Sequence, residues 1–172
     1  MKANNLPVRK ITFLGLTTAA AIVGRTLFAS IPNFQPVTDI VLVLSLYLGF
    51  WEGFSVALLT ILITNLYMGM GIWTIFQIIT YAVIVLLTCL LRPFLKRFFA
   101  VQIAYSAAAG LLYGFIISLF QALSFMGMDK FLPYYMAGLY FDLLHGIGNA
   151  ILYILFVPIF IRLIKKYEIA QI

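Results

Sequence analysis

Long apolar runs dominate this chain, and the polar residues between them mark out six segments, roughly 11–30, 37–50, 54–68, 72–91, 101–125 and 138–164. A helix needs about 20 mostly apolar residues to cross some 30 Å of hydrocarbon. The first, fourth, fifth and sixth segments meet that length. The second and third fall short, and by pattern alone they also read as one kinked helix. Pro32 and Pro36 bracket the first connection. Arg92-Pro93 ends the fourth segment, since proline lacks a donor and pushes the residue before it into an extended conformation. Met126-Gly127-Met128-Asp129-Lys130 opens the fifth connection, and Pro133 is expected to lie within it as a loop residue.

Composition identifies the solvent. Of the 172 residues, 65% are hydrophobic and 9% charged, whereas soluble domains are roughly half apolar and a quarter charged. Too few polar side chains remain to cover a water-facing surface, so the expectation is an all-α membrane protein with one domain over 1–172. Charge then decides the number of spans. Nine of the eleven Lys and Arg residues form three clusters: Lys2, Arg9 and Lys10; Arg92, Lys96 and Arg97; Arg162, Lys165 and Lys166. Cytoplasmic flanks of membrane helices carry such clusters. Six transmembrane helices put all three on one side, with only Lys130 in an opposite loop, whereas five spans would put two of the clusters outside. The expectation is therefore six spans, a cytoplasmic turn at Trp51-Glu52-Gly53, and both termini in the cytoplasm. Clustering at helix flanks argues against nucleic acid as a partner, despite the net charge of +6. Arg25 interrupts the first apolar stretch, and Leu27-Phe28-Ala29 is a poor cleavage site, so that stretch is read as a retained helix. The single Cys89 excludes an internal disulfide.

Small residues recur four apart: Gly15 and Ala19, Ala20 and Gly24, Gly110 and Gly114, Gly146 and Ala150. Such pairs let helices approach closely in lipid, within the bundle or against a partner. Charges inside a membrane are costly and call for an explanation. In the six-span arrangement Arg25, Asp39, Asp142 and His145 all fall in its outer part, and Asn149 extends the 142, 145, 149 stripe along one helix face. Two readings stay open. Arg25 pairs with Asp39 or Asp142 and ties the bundle, or these groups face a ligand. Asn33 and Gln35 in the first loop, Asn65, Trp73, Gln77 and Tyr81 around the third connection, and Tyr134, Tyr135 and Tyr140 around the fifth add candidates at the same depth. An interfacial aromatic belt accounts for the rings. It does not account for the amides and charges, which together with apolar walls describe a small-molecule pocket.

Catalytic signatures are missing. No G-x-x-x-x-G-K-[ST] or H-E-x-x-H occurs, no G-x-S-x-G surrounds a serine, and one histidine is present, so ATP hydrolysis by a P-loop and zinc proteolysis are not expected. No internal repeat of the kind that builds paired-repeat transporters is evident. A self-sufficient secondary transporter stays open as the alternative to a solute-capturing subunit energised by partners.

Over essentially its whole length, the sequence resembles the substrate-binding S-components of energy-coupling factor (ECF) vitamin transporters. The resemblance rests on chain length, six apolar segments and an opening Arg9-Lys10-Ile11-Thr12. The family's A-x-x-x-A docking motif on its first helix corresponds to Gly15 and Ala19, a departure that keeps small side chains. Ile31-Pro32-Asn33-Phe34-Gln35-Pro36-Val37-Thr38 and Asp142-Leu143-Leu144-His145-Gly146-Ile147-Gly148-Asn149 are similar to the subgroup associated with cobalamin; similar sequences are linked to queuosine precursors. The resemblance implies a bacterial plasma-membrane protein with no ATPase activity and no intrinsic cofactor. It also implies a vitamin ligand, and partnership with a transmembrane coupling subunit and two ATPase subunits.

Overall fold

Seven α-helices form among residues 6–167 and 169, which the computed structural model describes, and no strand occurs among them. They are α1 (Leu6–Leu27), α2 (Val37–Tyr47), α3 (Phe50–Met68), α4 (Ile72–Leu90), α5 (Arg92–Leu95), α6 (Phe99–Gln121) and α7 (Phe131–Lys166). Lys2 lies outside the described residues.

Several boundaries differ from expectation, each for a local reason. The second and third segments are separate helices, but the turn between them is at Leu48-Gly49, not at Trp51-Glu52-Gly53, which belong to the first turns of α3. Gly49 has φ +134°, a conformation side-chain-bearing residues rarely adopt. Pro93 does more than end α4, because it sits at the second position of the short α5, where its missing donor goes unneeded. The largest change is at the fifth connection. A π turn over Ala122–Met126 and a 3-10 turn over Met128–Lys130 carry the chain round Gly127, and α7 then starts at Phe131. Phe131 to Tyr135 is thus helix and not loop. Pro133 falls in the first turn, where proline is tolerated.

Among the described residues, four helical stretches are long and apolar enough to cross a bilayer: α3, α4, the α6 stretch to Met126, and the stretch from Met128 through α7. At 11 residues, or about 16 Å, α2 is too short to cross alone. Its residues from Val37 to Leu46 are all buried, and it packs against α1, α3, α4, α6 and α7. This helix is the centre of the bundle, enclosed by protein and not by lipid. Around it the polarity is inverted relative to a soluble fold. Leu59, Ile63, Ile75, Ile79, Ile147, Ile151 and Leu155 are exposed, while Thr38, Asp39, Ser45, Thr60, Thr80, Ser106, His145 and Asn149 are fully or almost fully buried. Such a surface matches a bilayer, and several interior hydroxyls are satisfied locally, whereas those of Thr60 and Thr80 are buried without a partner among the described residues. Ser45, Thr64 and Thr88 donate to carbonyls four residues back, at 2.7 Å each.

The two ends of the bundle differ chemically. Lys10 pairs with Glu52, Arg92 Nη2 donates to the Tyr47 carbonyl at 3.2 Å, and Lys96 lies 4.9 Å over the Tyr47 ring. Arg9 and Lys166 border one groove. The basic clusters therefore gather at one end, and the loop after α1 lies at the other.

Candidate ligand cavity

A cavity of about 590 Å³ opens at the end of the bundle opposite the basic clusters. Its walls are Arg25, Phe28, Ala29, Ile31, Pro32, Asn33, Phe34, Gln35, Met68, Trp73, Gln77, Tyr113, Gly114, Ile117, Ser118, Tyr134, Ala137, Gly138, Phe141 and Asp142. A volume in the range of about 300–1,000 Å³, aromatic walls and a few polar groups suit a small molecule. The α1–α2 loop forms one side and is pinned at several points. Asn33, with φ +56°, donates from Nδ2 to the Phe141 carbonyl at 3.2 Å. The Phe34 ring meets Phe28 edge-on at 5.3 Å and lies over Gly148, where an added Cβ would come within 2.7 Å of it.

Each polar wall group is held from behind or left unpaired. Arg25 Nη1 donates to Thr64 Oγ1 at 2.5 Å, and among the described residues no carboxylate pairs with it. Of the two readings open for Arg25, the pairing with Asp39 or Asp142 is therefore absent, and α3 supplies a hydroxyl to the guanidinium instead. Gln77 Oε1 accepts from Asn65 Nδ2 at 2.8 Å, and the same amide bonds Thr74 Oγ1 at 2.8 Å. Asp142 is 5% exposed, and its Oδ2 is buried without a hydrogen-bond partner.

Below the cavity a polar seam runs into the bundle. Thr38 Oγ1 lies 3.3 Å from Tyr81 OH and 3.1 Å from His145 Nε2. The Tyr113 ring, part of the cavity floor, packs on Tyr81 at 5.3 Å and edge-on against His145 at 5.2 Å. Deeper still, Ser106 donates to Asp39, and Asn149 Nδ2 donates to the Ser106 carbonyl at 3.1 Å. One polar atom each on Asp39, His145 and Asn149 is buried and has no partner among the described residues. A second, larger cavity of about 840 Å³ separates the N-terminal half of α1 from the end of α7. Among the described residues its walls are mainly apolar and no comparable set of polar groups converges there, so it is not the candidate site.

A family model described as the substrate-specific component of ECF transporters matches residues 9–160. The chain belongs to this family. No curated protein and no solved structure matched in the corresponding comparisons. As an ECF substrate-specific component it is a multi-pass membrane protein that works with other ECF transporter components and takes a small-molecule ligand.

Within this S-component, seven of the residues singled out by sequence line the cavity: Arg25, Asn33, Gln35, Trp73, Gln77, Tyr134 and Asp142. The other seven do not. Asn65 stands behind Gln77, and Asp39, Tyr81, His145 and Asn149 form the seam below. Tyr135 stacks on Phe131, and Tyr140 is 66% exposed. The wall also includes residues not singled out as candidates from the sequence, chiefly Phe28, Tyr113 and Ser118, together with Phe34 and Phe141 from the two loops expected at this end. For Tyr113 a signal existed, since it precedes the Gly114 of a small-residue pair. Gly15 and Ala19 lie on the exposed face of α1, and a Cβ on Gly15 would meet nothing within 4 Å.

Proposed function

We propose that this S-component captures a vitamin, most closely matching cobalamin by its subgroup motifs, at the extracellular side and delivers it for ATP-driven uptake. The observation that carries the reading is the cavity at the end of the bundle opposite the basic clusters. Basic flanks mark the cytoplasmic side, so the cavity faces outward, with both termini cytoplasmic in a bacterial plasma membrane. The chain crosses six times in this proposal, with α2 as a short central crossing shielded by its neighbours. Energy comes from two ATPase subunits through a transmembrane coupling subunit that docks on the Gly15–Ala19 face. The chain itself is not an enzyme and holds no intrinsic cofactor. Closure of the loops over the ligand and toppling of the subunit within the membrane follow from the family resemblance.

A second ligand reading is favoured by size. At about 590 Å³ the cavity encloses a compact heterocycle such as a queuosine precursor, whereas cobalamin fits only with much of its bulk outside the mouth. Purification from the membrane and a spectrum of the retained ligand separate the two. A corrin spectrum supports cobalamin, and a small purine-like chromophore supports the second reading. Solute uptake by the purified chain alone in liposomes, without ATP or partners, overturns the S-component mechanism in favour of a self-sufficient secondary transporter.

A further inference from the structure

Asp142 is the unusual group in the cavity wall. It is 5% exposed, it borders the cavity, and among the described residues no donor reaches its carboxyl group. The space it occupies is built for it. A Cβ on Gly114, across the α6–α7 contact, would overlap the Asp142 carboxyl atoms, so the side chain fits only because α6 has a glycine there. A buried carboxyl oxygen with no partner, here Oδ2, destabilises the empty protein, and although the carboxyl packs against α6 at Gly114, no hydrogen bond among the described residues ties it there. Across the cavity Arg25 has the complementary deficit. Its guanidinium has five donors, one of which bonds Thr64, and no carboxylate among the described residues joins it.

We propose that Asp142 is the specificity-determining acceptor of this cavity and that the ligand is dipolar. Amide-type N–H donors of the ligand face Asp142, and a carbonyl, carboxylate or phosphate faces Arg25. Phe28, Phe34 and Tyr113 pack on the apolar body between these ends. The inference rests on the proposed ligand-capturing role and narrows it. A purely apolar ligand, or one with acceptors only, leaves the Asp142 carboxyl buried and unmatched and is rejected.

The test compares wild type with Asp142→Asn and Asp142→Leu, each purified as the full chain. Binding of cyanocobalamin and, in a second arm, of queuine is followed by fluorescence quenching. For whichever probe binds wild type, Asp142→Leu is expected to weaken binding by about 10- to 100-fold, with Asp142→Asn in between because an amide still accepts without the charge. Gly114→Ala, which displaces the carboxyl, is expected to weaken binding as well. Unchanged affinity in Asp142→Leu overturns the inference. The second readout needs no ligand: empty Asp142→Asn is expected to melt at or above the wild-type temperature, since an unpartnered carboxyl has been removed. A clearly lower melting temperature means Asp142 ties the bundle, and the inference falls. Failure of both probes to bind wild type counts against the proposed ligands, and the melting comparison still decides the role of Asp142.

Discussion

Gly110→Ala adds a single methyl group where α6 and α7 touch backbone to backbone. The new Cβ would lie 2.7 Å from the Gly146 amide nitrogen and 2.9 Å from both its Cα and the His145 carbonyl carbon. Ordinary contact begins near 3.4 Å, so the helices must part locally by roughly 0.7 Å. No flexible side chain is available to yield. A gap of about 0.5–1 Å forfeits a quarter to a half of the dispersion energy between facing atoms. In lipid, packing and not hydrophobicity holds helices together, so the loss is not recovered elsewhere. Overpacking of this kind costs about 1–3 kcal/mol, against at most about 1 kcal/mol gained from replacing glycine in a helix. Gly138→Ala is the control, because its Cβ meets nothing within 4 Å and only the helix-propensity gain applies. Thermal unfolding in detergent, followed by size-exclusion chromatography, should rank Gly138→Ala at or above wild type and Gly110→Ala several degrees below. If Gly110→Ala melts with wild type, the α6–α7 contact has room for a methyl group and the close backbone packing of the two helices is refuted.

Further expectations follow from single contacts. Gly15→Leu and Ala19→Leu, on an exposed face of α1, should leave melting temperature and ligand binding intact while reducing co-purification of the coupling and ATPase subunits; normal assembly in both variants refutes the docking face. Thr38→Val leaves His145 Nε2 and Tyr81 OH without their shared partner and should cost about 1–3 kcal/mol in thermal stability; an unchanged melting curve refutes the role of Thr38 as a hub. Asn65→Ala frees Gln77 and Thr74 and should weaken ligand binding more than it lowers stability, which titration beside a melting curve measures. Cysteines at Asn33 and Met128 should react with an impermeant thiol reagent from outside intact cells, and one at Trp51 should react only after permeabilisation; Asn33 and Trp51 labelling from the same side refutes the orientation.

What the sequence revealed, and what it concealed, follows from the physics of each position. Most helices could be located because apolar runs and proline punctuation are local properties. The α7 stripe of Asp142, His145 and Asn149 was also visible, because helical spacing puts those residues on one face whatever lies opposite. What lies opposite was not visible. Arg25 had two carboxylates to choose from in the sequence, and it bonds Thr64 instead. From sequence the Phe131–Tyr135 stretch reads as a loop because Pro133 reads as a breaker. In a first helical turn its missing N–H breaks no bond, and only the position of the helix start, set by the turns around Gly127, distinguishes the two cases. The length of α2 was ambiguous for another reason. A helix buried on every side shows no polar face, so its pattern cannot say whether lipid or protein surrounds it. Phe28 gave no sign of facing a cavity, and Tyr113 only the small-residue pair beside it, since an aromatic residue looks the same in a core, a belt or a binding wall.

The division between cavity wall and seam explains why so many polar residues lie in so apolar a chain. A binding group in a membrane protein is useful only if it is held in place before the ligand arrives, since each side chain ordered on binding subtracts from affinity. Thr64 holds Arg25, Asn65 holds Gln77, and Tyr113 is wedged between Tyr81 and His145, which Thr38 joins. Most of these supports come from the buried interior, and two of them, Thr38 and His145, meet where α2 crosses α7. The shortness of α2 fits this role. A helix that need not face lipid on any side can place Thr38 and Asp39 at its start, just beneath the loop that walls the cavity. It still ends at Tyr47, where Arg92 caps it among the basic residues. Lengthening α2 to a full span would move one of those two ends, and either the seam or the basic end would lose its contacts.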